Sequence, residues 1–342
     1  MSKCLLCKKR DADKKGSHIV PHFLLKRIDN VDGKNGRDKE LGFVIGALDT
    51  HSYFGRAVQP EKLEELYCEL SDNDISEKNN LPLVVDNIFC SSCEKRLSII
   101  ENEYAKTLDK HGTVEYNSGI KTDFGLLFWM SIIWRLSINM KSGVQLSKSE
   151  NEICRRILNR TLENSIEKID LVNMQSAKDL RKVSYKLMRC PNYSNNSLTL
   201  ILFHPEFKRP YSLLIDEYIL CFSLNNHYEQ YKTKDFFGLK DEVISTSINH
   251  VGSWELINPL AFEKLSQINE SIIYKMKEIR LDNIDILLDE LHVKLGGSGK
   301  MPLELKSEIF SEITSDNKKL GEKYTFQDFK DSTYKILKKI AH

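Results

Sequence analysis

Cys4-Leu5-Leu6-Cys7 and Cys90-Ser91-Ser92-Cys93, with Ser17-His18-Ile19-Val20-Pro21 between them, make up the part of the sequence that decides its fold. The Cys-x-x-Cys spacing lets two thiolates reach one ion at about 2.3 Å without straining the turn between them. Two such pairs predict one tetrahedral site with four sulfur ligands, closed to substrate, which is the ligand set of a structural Zn²⁺. The other four cysteines, Cys68, Cys154, Cys190 and Cys221, have no paired spacing and read as buried core residues. His18 follows Cys7 by eleven residues, and Glu94 directly follows the second pair.

The surrounding composition is that of a folded protein: 342 residues, 41% apolar and 29% charged, with 50 Lys and Arg against 49 Asp and Glu. These values exclude a disordered or collagen-like chain and a polycation that coats nucleic acid through net charge alone. The few, unevenly placed cysteines exclude a secreted disulfide scaffold. Charge is local instead. Residues 1–28 hold eight basic side chains against two acidic ones. Met1 to Arg10 lacks the apolar run of a signal peptide. Phe124 to Ile138 contains Arg135 and is shorter than the roughly 20 apolar residues that span a bilayer. The expectation is a cytoplasmic protein with reduced thiols and no membrane segment.

Patterning divides the chain. Asp29 to about residue 80 reads as an insertion, with an alternating segment Leu41 to Leu48 and helical spacing over Pro60 to Leu70. Leu81 to Phe89 predicts a strand that enters the second cysteine pair, and Ser91 to Lys110 a helix with Leu97, Ile100, Tyr104 and Leu108 on one face. A first domain, 1–119, ends near Gly119. In the second, 120–342, Phe124 to Met140 is apolar nearly all round and predicts a central helix, in which Trp129, Trp134 and Arg135 read as core. Ser147 with Glu150 fits a capping box. Leu198 to Phe203 and Tyr211 to Leu224 read as a hairpin, Pro259 to Arg280 and Ile284 to Leu295 as two helices, Gly296 to Gly299 as a linker, and Phe326 to Ile340 as a terminal helix. The fold class expected is α+β, with a larger, mostly helical α+β domain after the cysteine-rich head.

The order of the two cysteine pairs, the His-Ile-x-Pro context of His18 and the strand, cysteine turn and helix that follow resemble the HNH, or ββα-metal, nucleases built on a zinc-bound treble clef. The resemblance covers roughly residues 1–110, interrupted by the insertion. It implies a metal-dependent endonuclease that hydrolyses phosphodiester bonds in nucleic acid, with DNA the first choice and RNA open. It implies Zn²⁺ on Cys4, Cys7, Cys90 and Cys93 and a separate catalytic Mg²⁺ or Mn²⁺. His18 would be the general base, suited because an imidazole with an ordinary pKa near 6.5 accepts a proton at neutral pH. Glu94 takes the family position that contributes to the ion. Ser17 stands where the family has Asp, and Glu94 where it has Asn or His. Asn87 matches the family's middle Asn at a shorter spacing. Glu101, two helical turns beyond Glu94, is a second candidate for the ion or for a partner of His18. Lys8, Lys9, Arg10, Lys14 and Lys15 beside this motif suit phosphate contacts. His22 reads as a surface or packing residue.

Chains of this arrangement look similar to effectors of bacterial defence against phage, an analogy at the level of fold. The alternative is a non-catalytic zinc module that binds nucleic acid or a protein partner, with Ser17 marking loss of the metal-binding aspartate. A third reading places function in residues 120–342. A homo-oligomer or a regulatory protein partner stays open.

Overall fold

Side chains that are apolar on every face predict a helix with no solvent side, and Thr122–Ile138 is that helix: all but three of its residues are buried. Its surroundings explain why. In the computed structural model, which describes residues 2–25, 42–45, 50–53, 84–139, 144–193, 200–203, 207–224, 235–294, 296–314, 331 and 333–336, the helix packs against three other helices and a mixed sheet.

The elements in chain order are β1 (Ser17–His18), α1 (His22–Leu25), β2 (Gly42–Ile45), β3 (Thr50–Tyr53), β4 (Val84–Val85), α2 (Ser91–Ala105) and β5 (Tyr116–Lys121). There follow α3 (Thr122–Ile138), α4 (Lys148–Thr161), α5 (Leu171–Ser176), β6 (Val183–Arg189), β7 (Leu200–Phe203), β8 (Tyr211–Ile215) and β9 (Tyr218–Leu224). The rest are α6 (Lys240–Ser245), β10 (Asn249–His250), β11 (Trp254–Pro259), α7 (Phe262–Lys294) and α8 (Leu303–Thr314). β1 and β4 form a small antiparallel pair. The large sheet has the order β3-β2-β7-β8-β9-β6-β11-β5, with β10 also on β6. Its β2–β7 and β6–β11 pairings are parallel and the others antiparallel. The fold is α+β.

Several expectations change. Among its described residues the part after residue 120 holds more helix than strand, as expected, but it also supplies most strands of the large sheet; β6 is buried along its whole length and reads as neither an alternating strand nor an amphipathic helix. Tyr211 to Leu224 folds back on itself at Asp216-Glu217, with Ile215 opposite Tyr218 and Asp216 at φ 56°. Leu81 to Phe89 contributes strand only at Val84–Val85 among its described residues, since Asn87 turns left-handed (φ 57°) to bring Phe89 and Cys90 round. The two helices expected beyond Pro259 are one, α7: Leu281-Asp282-Asn283 contains neither Gly nor Pro to break it. Ser147 caps α4 in the full capping box with Glu150. Pro60 to Leu70 and Cys68 lie outside the described residues, as does most of Phe326 to Ile340, of which 333–336 is helical.

The compact unit that contains the cysteine pairs does not end near Gly119. It comprises Met1–Ala57 and Lys78–Asn269. Leu41 to Leu48 supplies β2, which joins the sheet beside β7. Phe128 and Trp134 of α3 lie against Phe23 and Phe89 of the cysteine-rich segment, each with ring centroids 5.8 Å apart. One hydrophobic core runs from Leu6 and Ile19 through α3 to β8 and β9. Cys154, Cys190 and Cys221 are buried, as expected.

The second unit is Val58–Glu77 and Glu270–His342. Among its described residues Leu288, Met301, Ile309 and Ile336 form a buried cluster, and Lys306 is held by Asp285 and Asp289, each at 2.6 Å. α7 stops at Gly296 (φ 93°), where the amides of Gly296 and Gly297 return to the carbonyls of Val293 and His292. Only glycine takes that conformation without steric cost. No helix among the described residues is long and apolar enough to cross a membrane.

Candidate metal centre and the His18 site

The first cysteine pair sits in a tight turn. The Cys4 amide donates to the Arg10 carbonyl, the Lys8 amide returns to the Cys4 carbonyl at 2.8 Å, and Lys8 is left-handed (φ 56°). The second pair opens α2, with Cys90 at the N-cap position. A cysteine there cannot cap well, and the carboxylate comes from elsewhere: Asp13 accepts from the Ser91 amide at 2.8 Å and from its hydroxyl at 3.3 Å. The Leu5 amide, bonded to the Ile88 carbonyl at 2.9 Å, ties the two turns together.

This folding brings the four sulfurs of Cys4, Cys7, Cys90 and Cys93 within 4.8 Å of one another. A tetrahedron of sulfurs about 2.3 Å from a central ion has edges of about 3.8 Å, so the cluster is close enough to bind a metal ion and compatible with structural zinc. Among the described residues it is the one group of three or more His, Cys, Asp or Glu side chains so arranged. The Cys93 thiol donates to Cys4 and holds the latter's pKa down to about 4, while Cys93 itself is pushed up. A pair sharing one proton is poised to lose it to a cation. Arg96 supports the cluster from outside. Its Nη2 lies 3.2 Å from the Cys93 sulfur and 3.1 Å from Asn159 Oδ1, and its Nη1 donates to the carbonyls of Asn159 and Leu162 at the end of α4. A guanidinium there offsets thiolate charge and holds α4 against the centre.

The His18 segment lies beside this centre. Ser17 and His18 form β1 opposite Val85 and Val84. Ile19 and Val20 are fully buried and anchor the segment, whereas His18 is partly exposed. Ser17 is buried, and its hydroxyl donates to Glu94 Oε2 at 3.2 Å. Burial pushes the Glu94 carboxyl above its usual range, Arg135 pulls it down, and Glu101 pushes it up. Ser17 and Glu94 are thus brought together, and the His18 main chain and Glu101 meet at Arg135.

Glu101 does not stand ready for an ion: it pairs with Arg135 Nη2 at 2.8 Å. Arg135, 1% exposed, also donates through Nη1 to the His18 carbonyl at 2.7 Å. Asn87 is exposed and acts through its main chain, its amide donating to the Lys14 carbonyl at 2.8 Å and its carbonyl accepting from Ser2. Lys9, Arg10 and Lys15 are exposed and Lys14 partly so, while Lys8 pairs with Glu152 at 2.9 Å. The side chain of His22 lies outside the described residues.

Three groups escaped the sequence reading. Arg96 and Asp13 carry no signal beyond their polarity, and Arg135 read as a core residue; a lone arginine in a helix buried all round must have a partner, which was the available clue. The sequence matches no protein-family model and no curated protein, and the structure matches no solved structure.

Proposed function

We propose that the chain is a metal-dependent endonuclease of HNH-like type, hydrolysing phosphodiester bonds in nucleic acid, with DNA the first substrate to test. The observation that carries this reading is the contact of Ser17 Oγ with Glu94 at 3.2 Å in the first turn of α2, directly after Cys93 of the four clustered cysteines. In this reading the cysteines hold a structural Zn²⁺ that fixes the His18 segment to α2.

His18 takes the proton from the attacking water. His18 is suited to this because the residue is partly exposed while its neighbours Ser17, Ile19 and Val20 are buried and hold the segment. The Ser17 hydroxyl and the Glu94 carboxylate offer hard oxygen donors to a Mg²⁺ or Mn²⁺ ion that keeps most of its waters, and the chemistry such an ion supplies is neutralisation of charge developing on the phosphate. Lys9, Arg10, Lys14 and Lys15 bind the flanking phosphates, a contact that weakens with salt. Anti-phage defence as the setting is carried only by likeness of arrangement.

A second reading, a zinc module that binds nucleic acid or protein without cutting, is favoured by one observation: Glu101 is engaged by Arg135, which leaves Glu94 beside Ser17 as the carboxylate offered to an ion. The test incubates zinc-loaded protein with supercoiled plasmid and with single-stranded DNA and RNA in Mg²⁺ or Mn²⁺. Nicking that stops with EDTA supports the nuclease; retention of the substrate without cleavage supports the binding module.

A further inference from the structure

Arg135 belongs to α3, beyond the part of the chain that carries the nuclease resemblance, yet its guanidinium ends at the His18 segment. Four of its contacts define its geometry. Nε donates to the Ser131 carbonyl at 3.2 Å and Nη2 to the Ser131 hydroxyl at 3.2 Å, so the plane of the group is set by its own helix one turn back. The Ser131 hydroxyl is itself anchored, donating to the Phe128 carbonyl at 2.7 Å. From that fixed plane Nη1 reaches the His18 carbonyl at 2.7 Å and Nη2 reaches Glu101 at 2.8 Å.

The two outer partners come from different elements. β1 is two residues long and, among the described residues, its ladder is the two pairs with Val84 and Val85, which is short for holding a catalytic side chain steady. Glu101 lies on α2, which also carries Cys93 and Glu94. A planar fork that grips the main chain of the histidine and the carboxylate of that helix sets the distance between them. A lysine cannot do this, since its ammonium is a single point on a flexible stem.

We infer that Arg135 is a positioning residue: it holds the main chain of His18 in register with the helix that bears Glu94 and Glu101. Its effect on cleavage rests on the nuclease reading, while its hold on the segment does not. The face of α3 that carries Arg135 is thus a working part of the site.

The experiment compares the full-length zinc-loaded wild type with Arg135→Lys, Arg135→Met and Glu101→Gln. Amide exchange is followed over residues 16–20 and over 91–105, zinc is quantified, and kcat and KM for plasmid nicking are measured. Loss of a hydrogen bond from a charged donor is expected to raise exchange over 16–20 about tenfold or more in Arg135→Lys, with zinc and 91–105 unchanged. Displacement of His18 by about an ångström should lower kcat on the order of 100-fold while KM stays nearly constant. Glu101→Gln removes the charge of the ion pair with Arg135 while leaving its contact to the His18 carbonyl, and should give a smaller change of the same kind. If Arg135→Met does not fold, Arg135→Lys and Glu101→Gln decide. Unchanged exchange over 16–20 in a zinc-bound Arg135→Lys overturns the inference. A wild type that does not nick overturns the nuclease reading alone, and the exchange result still decides on Arg135.

Discussion

Glu255 is a carboxyl with no access to water, and its replacement by glutamine is a sharp test of how the core is built. Tyr185 Oη lies 2.5 Å from its Oε1, and Tyr104 Oη lies 3.3 Å from both oxygens. Trp129 donates to the Tyr104 oxygen at 3.0 Å, so in the ionised state both tyrosine hydroxyls point at the carboxylate. Burial overrides these hydrogen bonds and pushes the pKa up to about 7, against 4.5 for an ordinary glutamate. Because the folded-state pKa is the higher one, the stabilising contribution is complete below about pH 4.5 and is lost as pH rises toward 7. The rise from 4.5 to about 7 corresponds to about 3 kcal/mol. Glu255→Gln cannot ionise and should lack this loss, gaining on the wild type by up to that amount between pH 5 and 8. The assay is urea unfolding at fixed zinc, followed through Trp129 and Trp134, both buried in this core. Any pH effect on the cysteine centre is common to both proteins and cancels in their difference. If that difference stays constant from pH 5 to 8, or moves toward the wild type as pH rises, the reasoning is refuted.

Two further outcomes follow from the same structure. Cys90→Ser should lose stoichiometric zinc and much of its resistance to urea, since structural zinc contributes about 10 kcal/mol or more in small zinc modules; elemental analysis together with unfolding checks this, and a stable zinc-free variant would contradict it. Glu217→Ala removes the partner of Arg189, which it meets at 2.6 Å with both side chains buried, while Arg189 also ties β6 to the carbonyls of Leu108 and Lys110. Stranding that cation should cost about 3–5 kcal/mol in chemical denaturation, and a loss below about 1 kcal/mol would show that the pair is not sealed from water.

How much of this was legible beforehand depended on whether the signal was local. The cysteine turns were, because four residues of sequence specify the geometry that presents two sulfurs. The capping box at Ser147 and the all-apolar α3 were legible for the same reason. The sheet was not. β6 has no alternation because both its faces are buried, and β5, β10 and β11 are short segments defined by partners far away in sequence. The site divided along that line too. Ser17, His18 and Glu94 stood out from their spacing to the cysteines, whereas Arg135 reaches His18 across 117 residues and Asp13 reaches Ser91 across 78. Glu255, next to Trp254 on β11, has no pattern around it that marks a buried acid. Nothing within a few residues of it announces the two tyrosines.

The most direct test of the central claim is the rate at which His18→Ala nicks supercoiled plasmid in Mg²⁺ or Mn²⁺, measured against wild type at equal zinc content. Loss of a general base should lower the rate about 10²- to 10⁴-fold with substrate binding retained. Equal cleavage by the two proteins would contradict the assignment of His18 as the base.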